Sequence, residues 1–179
     1  MYTSERPSLA TDLLLDAFER VHEEIPQILD GLSVEDLLWR PDADANSIGW
    51  LIWHLTRVQD DHLVGVAREC GRPREQVWPS WRARFDVPYD VADIGYGHTT
   101  EDVAAFGLDD PALLAGYHSD VHALTTEVLR QLRPEDYRTV VDTAWTPHVT
   151  AASRLVSVVN DVTAHVGQAA YLKGLLERR

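Results

Sequence analysis

A single cysteine in 179 residues has no partner, so an internal disulfide framework is excluded. Cys70 stands in REC-GRP, where Gly71 and Pro73 read as a helix stop. No histidine lies close in sequence to activate it, so a small helix-end residue is expected rather than a catalytic thiol. A lone reduced thiol fits a reducing cytoplasm, the expected location. Long apolar runs are also missing, and no stretch reaches membrane-spanning length. The opening segment, MYTSERPSLATDLLLDAFERV, is acidic and amphipathic, unlike the basic start and apolar middle of a signal peptide. Basic residues are scarce: 16 Lys and Arg face 29 Asp and Glu, a formal net charge of -13. Such an average surface repels phosphate backbones and anionic membranes, so neither nucleic acid nor membrane is an expected partner. What is present is ordinary for a folded protein, 45% hydrophobic and 25% charged. The length suits one domain over residues 1–179.

Four long segments carry the helical period. The first runs from about Ser8 to Asp30, with Leu9, Leu13, Ala17, Val21, Ile25 and Ile28 as its apolar stripe and Pro26 near its end. A connector, LSVEDLLWRPDADAN, offers Ser33 as the cap of a short turn that Pro41 ends. The second helix starts at the N-cap Ser47 and continues through IGWLIWHLTRVQDDHLVGVAREC. The region from Gly71 to Asp110 is irregular, with Pro73, Pro79 and Pro88, several glycines and a short helix near Thr100–Phe106. A loop of that length inside a compact domain is usually functional. Asp110 as N-cap and Pro111 at the first helical position open the third helix. Thr150 opens the fourth, which runs close to the C-terminus. VVDTAW reads as a short extended piece, and nothing alternates long enough to build a sheet. The expected fold is all-α, a four-helix bundle with a long connection between helices two and three.

Bundles build metal and cofactor sites from side chains on facing helices. In VSVVNDVTAHVGQAAYLKGLL, Asp161 and His165 stand four apart and share one side of the fourth helix. The apolar stripe of that helix centres on Ala151, Val158, Val162 and Ala169, and the pair falls on its flank, in line with Arg154, Gln168 and Leu172. Spacing alone leaves a rival open. His118 and His122 in YHSDVH also stand four apart, with His118 near the flank of the stripe and His122 well round toward solvent. His54 sits among Leu and Trp, as core histidines commonly do. His62 lies farther round the same helix than one turn and makes no tight pair with it. His98 is a loop residue within reach of a pocket, and His22 and His148 read as surface residues.

NSIGWLIWHLTRVQDDH, GYGHT and VSVVNDVTAHVGQAAYLKGLL together resemble the DinB-like superfamily of metal-binding four-helix bundles. Within it, the likeness is closer to mycothiol-dependent S-transferases and to the N-terminal domain of mycothiol-dependent maleylpyruvate isomerase. The resemblance covers nearly the whole chain. Its most specific pieces are the Trp-His-Leu stretch at Trp53–Leu55 and the His-x-Gly-Gln-Ala-x-Tyr stretch at His165–Tyr171. It implies a metal triad of His54, Asp161 and His165. Some relatives have Glu or His where this chain has Asp161. Over these 179 residues the isomerase's extra C-terminal domain is not represented, so a stand-alone transferase is the expectation.

Two imidazoles and a carboxylate fill three positions of a divalent ion and leave at least one open. Zinc is the expected ion, although the same donors form the facial triad of non-haem iron oxygenases. The resemblance implies that a low-molecular-weight thiol, mycothiol, is deprotonated there and attacks an electrophilic small molecule, as in detoxification. No protein nucleophile is then required. Arg154 and Gln168, on the ligand flank, are candidates to orient Asp161 or bind a polar group. Tyr96 and His98 are candidates to close over the pocket, whereas Trp50 and Trp53 are expected to pack. A thiol-dependent isomerase, a metal-dependent hydrolase and a metal-free binding bundle are the alternatives. A homodimer through helix faces is the expected assembly.

Overall fold

In the computed structural model, which describes residues 8–179, four long helices carry the architecture. In chain order the helices are α1 (Leu9–Leu29), α2 (Val34–Leu38), α3 (Ile48–Glu69), α4 (Trp78–Trp81), α5 (Thr100–Ala104), α6 (Ala112–Gln131) and α7 (Ala151–Leu176). Two short strands, β1 (Val140–Asp142) and β2 (Val149–Thr150), pair antiparallel just before α7. The fold is all-α. The first seven residues of the segment compared above with a signal peptide lie outside the described residues.

Caps set the helix starts as the sequence suggests. Ser8, Ser47 and Thr150 each accept a backbone N–H with the side-chain oxygen, which satisfies one orphan donor of the first turn. Ser33 and Asp36 form a reciprocal capping box on α2, and Thr99 and Asp102 form another on α5. The start of α6 is one residue later than expected. Helical geometry begins at Ala112, whose N–H is bound at 2.9 Å by the Asp110 carboxylate.

Around the bundle the helices follow the order α3, α6, α1, α7, so α3 touches α6 and α7 while α1 lies across the diagonal. The apolar stripe of α7 is buried as expected, at Ala151, Val158, Val162 and Ala169. The stripe of α1 needs correction at its start. Leu9 and Leu13 are exposed, at 75% and 64%, while Thr11 and Phe18 are buried. Thr11 enters the core because its hydroxyl meets the phenol of Tyr137 at 2.6 Å, a partner that periodicity cannot supply.

Every residue of α3 from Ile48 to Asp60 is buried. Neighbouring helices cover one side, and the long 71–110 connection covers the other. Trp78, Tyr89 and Phe106 from that connection pack on Trp53, and Gly49 lets Phe106 approach the helix backbone. The loop is therefore a built layer rather than an excursion. It also contains α4, a short helix inside a stretch whose sequence is irregular. The buried carboxylate of Asp60 anchors it by accepting the N–H groups of Val77 and Trp78 at 3.0 and 2.8 Å.

Candidate metal centre

His54 projects from the middle of α3 with 6% exposure, its ring stacked on Trp50 with centroids 4.7 Å apart. Its Nδ1 lies 2.5 Å from the carbonyl of Ile94. A carbonyl only accepts, so Nδ1 carries the proton and Nε2 presents a bare lone pair. The long connection thus fixes the tautomer. Gly95 makes this approach possible: its φ is +85°, and an added Cβ would come within 2.7 Å of His54 Nδ1.

Across the interface, α7 supplies Asp161 and His165. The Nδ1 of His165 donates to the Asp161 carbonyl at 2.8 Å, so its Nε2 is bare as well. The two histidine rings meet edge to face with centroids 4.7 Å apart. Each of His54, Asp161 and His165 offers a ligand atom, and these atoms all lie within 4.8 Å of one another. Among the described residues this is the one such convergence of three His, Cys, Asp or Glu side chains.

The protein's own charges in the site are lopsided. Burial pushes the pKa of His54 down from the ordinary histidine value. Burial also works against charge on His165, but the neighbouring Asp161 outweighs it and holds that pKa up. Asp161 resists burial in the same way, its pKa held below the usual range by the imidazole of His165. One carboxylate oxygen, Oδ2, is nevertheless buried with no hydrogen-bond partner among the described residues. It lies 3.3 Å from His165 Nδ1, whose proton points to the backbone carbonyl instead. A triad with an unpartnered carboxylate oxygen and a bare nitrogen on each of its two imidazoles fits a divalent cation. The backbone carbonyls on both Nδ1 atoms are the outer contacts that orient metal-binding histidines.

A cavity of about 180 Å³ adjoins the site, with His54, His62, Tyr96, Arg154, Ser157 and Asp161 in its wall. Arg154 also borders neighbouring recesses of about 160 and 310 Å³, and its guanidinium pairs with Asp142 at 2.8 Å. Tyr96 stands at the rim, 87% exposed. His98 is placed behind the site. Its Nδ1 accepts from the indole N–H of Trp50 at 3.2 Å, and its Nε2 meets Asp93 at 2.9 Å. Gln168 is exposed and faces a different recess, with Asn46 and Tyr171. Trp50 and Trp53 pack, with 5% and 0% exposure.

The rival pair fares differently. His122 is turned inward, with its side chain 13% exposed, rather than out toward solvent. His22, read as a surface residue, is half-buried and sandwiched in a column of three imidazoles. His122 stacks on it at 4.2 Å and His118 at 5.5 Å. Near-parallel rings aim their lone pairs side by side, so the column is not a converging ligand set. Packing of α1 against α6 creates it, which the period of α6 alone could not reveal. Cys70 caps α3 with its thiol near the Asp136 carbonyl, and burial pushes its pKa up.

Residues 17–169 match the family described as the DinB superfamily. The chain belongs to that superfamily. A solved structure described as the conserved protein of a locus from Enterococcus faecalis is similar, with TM-score 0.84 and 29% identity. The match covers 94% of this chain and 98% of that one. No curated protein matches the chain. Sequence reasoning missed two contributions to the site. The Ile94 carbonyl is a backbone group and leaves no residue signature. His62 was legible only as a position eight residues beyond His54, about 80° round the helix.

Proposed function

We propose that this DinB-superfamily protein is a metal-dependent thiol transferase, joining a low-molecular-weight thiol to electrophilic small molecules. The carrying observation is the convergence of ligand atoms from His54, Asp161 and His165 beside a cavity, with one Asp161 carboxylate oxygen buried and unpartnered. These three residues would hold a divalent ion, with zinc favoured by two nitrogen donors and one oxygen. When bound, such an ion supplies Lewis acidity that lowers the pKa of a coordinated thiol. His54 and His165 contribute fixed tautomers, and Asp161 contributes the negative charge that balances the cation. The indole of Trp50 and the Ile94 carbonyl hold His54 from two sides.

The cavity beside the triad has room for the sulfur end of a thiol and a small electrophile. Recesses joined to it at Arg154 would take the rest of a larger thiol. The raised pKa of Cys70 and its place at the end of α3 argue against a protein thiol as nucleophile. Mycothiol is the favoured co-substrate on the sequence resemblance given above.

Two measurements test the reading. Protein purified without added metal, then dialysed against zinc, is expected to hold close to one ion per chain. The loaded protein is expected to conjugate mycothiol to monochlorobimane faster than the uncatalysed reaction. Zinc without conjugation of any thiol would move the reading to a hydrolase on the same centre. Protein that takes up no divalent ion would remove the centre itself.

A further inference from the structure

General acid–base chemistry at this site needs a titratable group that is not itself a ligand, and the cavity wall contains one. His62 follows His54 by two turns of α3 and lines the same cavity. Its Nδ1 lies 3.3 Å from the carboxylate of Asp61. That carboxylate is held in turn, since Gln76 Nε2 donates to its other oxygen at 2.8 Å. The Gln76 carbonyl oxygen accepts from the buried guanidinium of Arg57 at 3.2 Å. The series Arg57, Gln76, Asp61, His62 therefore runs from a fully buried cation to the cavity. Contact with His62 also holds the Asp61 carboxyl below the usual carboxylate range.

Beside a carboxylate, the Nδ1 of a neutral imidazole carries the proton and Nε2 is left as the base. We propose that His62 is the proton carrier of this cavity, with Asp61 as its positioning residue. The inference rests on the thiol-transfer reading. Tyr96, also on the wall, stands 87% exposed at the rim, and the enclosed candidates are already committed. Arg154 is paired with Asp142, and Asp161 belongs to the ligand set. His98, the remaining histidine of the loop, is engaged at both ring nitrogens.

The step balances without a further reactant. The S–H proton passes to Nε2 of His62, and the sulfur lone pair forms the new C–S bond. The electron pair of the electrophile's activated C=C or strained C–O bond moves to its far atom. That atom then takes the proton from His62, which returns to its neutral form. The substrate class is accordingly one that needs a proton at the end of the reaction: activated alkenes and epoxides. Arg57 joins the two halves of the site, because its Nε donates to the Asp93 carbonyl one residue before Ile94.

The test uses the zinc-loaded protein and a Michael acceptor with mycothiol. His62→Gln is expected to keep its zinc and thiol affinity while the turnover rate falls about a hundredfold or more. The limb on which wild-type rate rises with pH is expected to flatten, and added imidazole to restore part of the rate. Full activity with an unchanged pH profile in His62→Gln would overturn the proposal. A separate readout needs no turnover. Nitrogen NMR of the His62 ring, recorded where the ring is in its neutral form, is expected to show protonated Nδ1 and bare Nε2. The opposite tautomer would equally overturn it. Wild-type protein inert toward every thiol would sink the transferase reading, and the tautomer would still decide whether His62 is built as a base.

Discussion

The carbonyl of Ile94, forty residues downstream of His54, accepts the Nδ1 proton of that histidine at 2.5 Å. A segment with little regular structure thus decides which nitrogen a helix residue offers to the site. Three further bonds hold the segment in register. Arg57 binds the Asp93 carbonyl, His98 meets the Asp93 side chain, and Trp50 donates to His98. All of them start or end on α3 or on the loop itself, so the ligand and its support form one rigid block.

Gly95 is the weak point of that block. Substitution by alanine places a methyl 2.7 Å from His54 Nδ1 and 3.1 Å from Trp53, at a φ of +85°. Such an overlap must displace the loop or rotate His54. Gly95→Ala is expected to weaken zinc affinity by tenfold or more, the scale of losing an outer contact of a metal ligand. Gly97 has a similar φ of +76° but open space around it. Gly97→Ala is expected to cost only about 1–2 kcal/mol of backbone strain and to keep zinc affinity. Competition with a chromogenic chelator separates the two.

Metal binding should register as folding stability, because the triad joins α3 to α7. At zinc one hundred times its Kd the gain is about 2.7 kcal/mol. For a chain of this size that raises Tm by roughly 5–11 °C. His54→Ala, His165→Ala and Asp161→Ala are expected to abolish the rise. His122→Ala is expected to keep it, since that ring belongs to the column between α1 and α6. Differential scanning calorimetry with and without zinc reads both outcomes. A rise retained by His165→Ala would count against the ligand set.

How far the sequence reached follows from which contacts are local. Helix caps at Ser47 and Thr150 and the shared flank of Asp161 and His165 depend on residues within one turn, and all were legible. The third partner, His54, came only through resemblance, because nothing in the period of α3 singles it out. Contacts across the bundle were hidden for the same reason. Periodicity turned His122 toward solvent and kept Leu9 and Leu13 inside, since it cannot know which helix lies opposite. The orientation of His98 depends on Trp50 and Asp93 together, and two such partners converge only after the loop has folded.

The imidazole column predicts an acid-sensitive seam. His118 is fully enclosed, and burial first, then His22 and His122, push its pKa down to about 3. His122 is shifted down by burial and by His22, while Glu19 on α1 opposes the shift. A histidine whose folded pKa is depressed gives stability that is present above its unfolded value, near 6.5. That stability is lost as pH falls from about 6.5 toward 3, by up to about 1.4 kcal/mol per unit for a single group. The Thr56 hydroxyl donates to the Ile52 carbonyl, so His118 Nδ1 must donate to Thr56. His118→Asn can replace that donor without titrating. Urea denaturation between pH 7 and 4 is expected to show a shallower loss of stability in the variant. Equal slopes would place the acid sensitivity elsewhere.

Asp60 bears the heaviest structural load near the site. Its carboxylate accepts from the N–H groups of Val77 and Trp78 and from the phenol of Tyr117, and it pairs with Arg57 at 3.4 Å. Both members of that ion pair are fully buried. Asp60→Ala leaves the Arg57 guanidinium without its counter-charge and orphans two loop N–H groups. Removing one partner of a buried pair typically costs about 3–5 kcal/mol, and this variant is expected to fall in that range by urea denaturation. Asp16 provides the contrast, because its pair with Arg20 lies open to solvent. Asp16→Ala is expected to leave the unfolding midpoint where it was. Arg57 also grips the Asp93 carbonyl, so the loss at Asp60 should reach the candidate metal site. Zinc affinity of Asp60→Ala, measured below its unfolding transition, is expected to fall as well. Unchanged affinity in a destabilised protein would show that the loop holds His54 without help from this network.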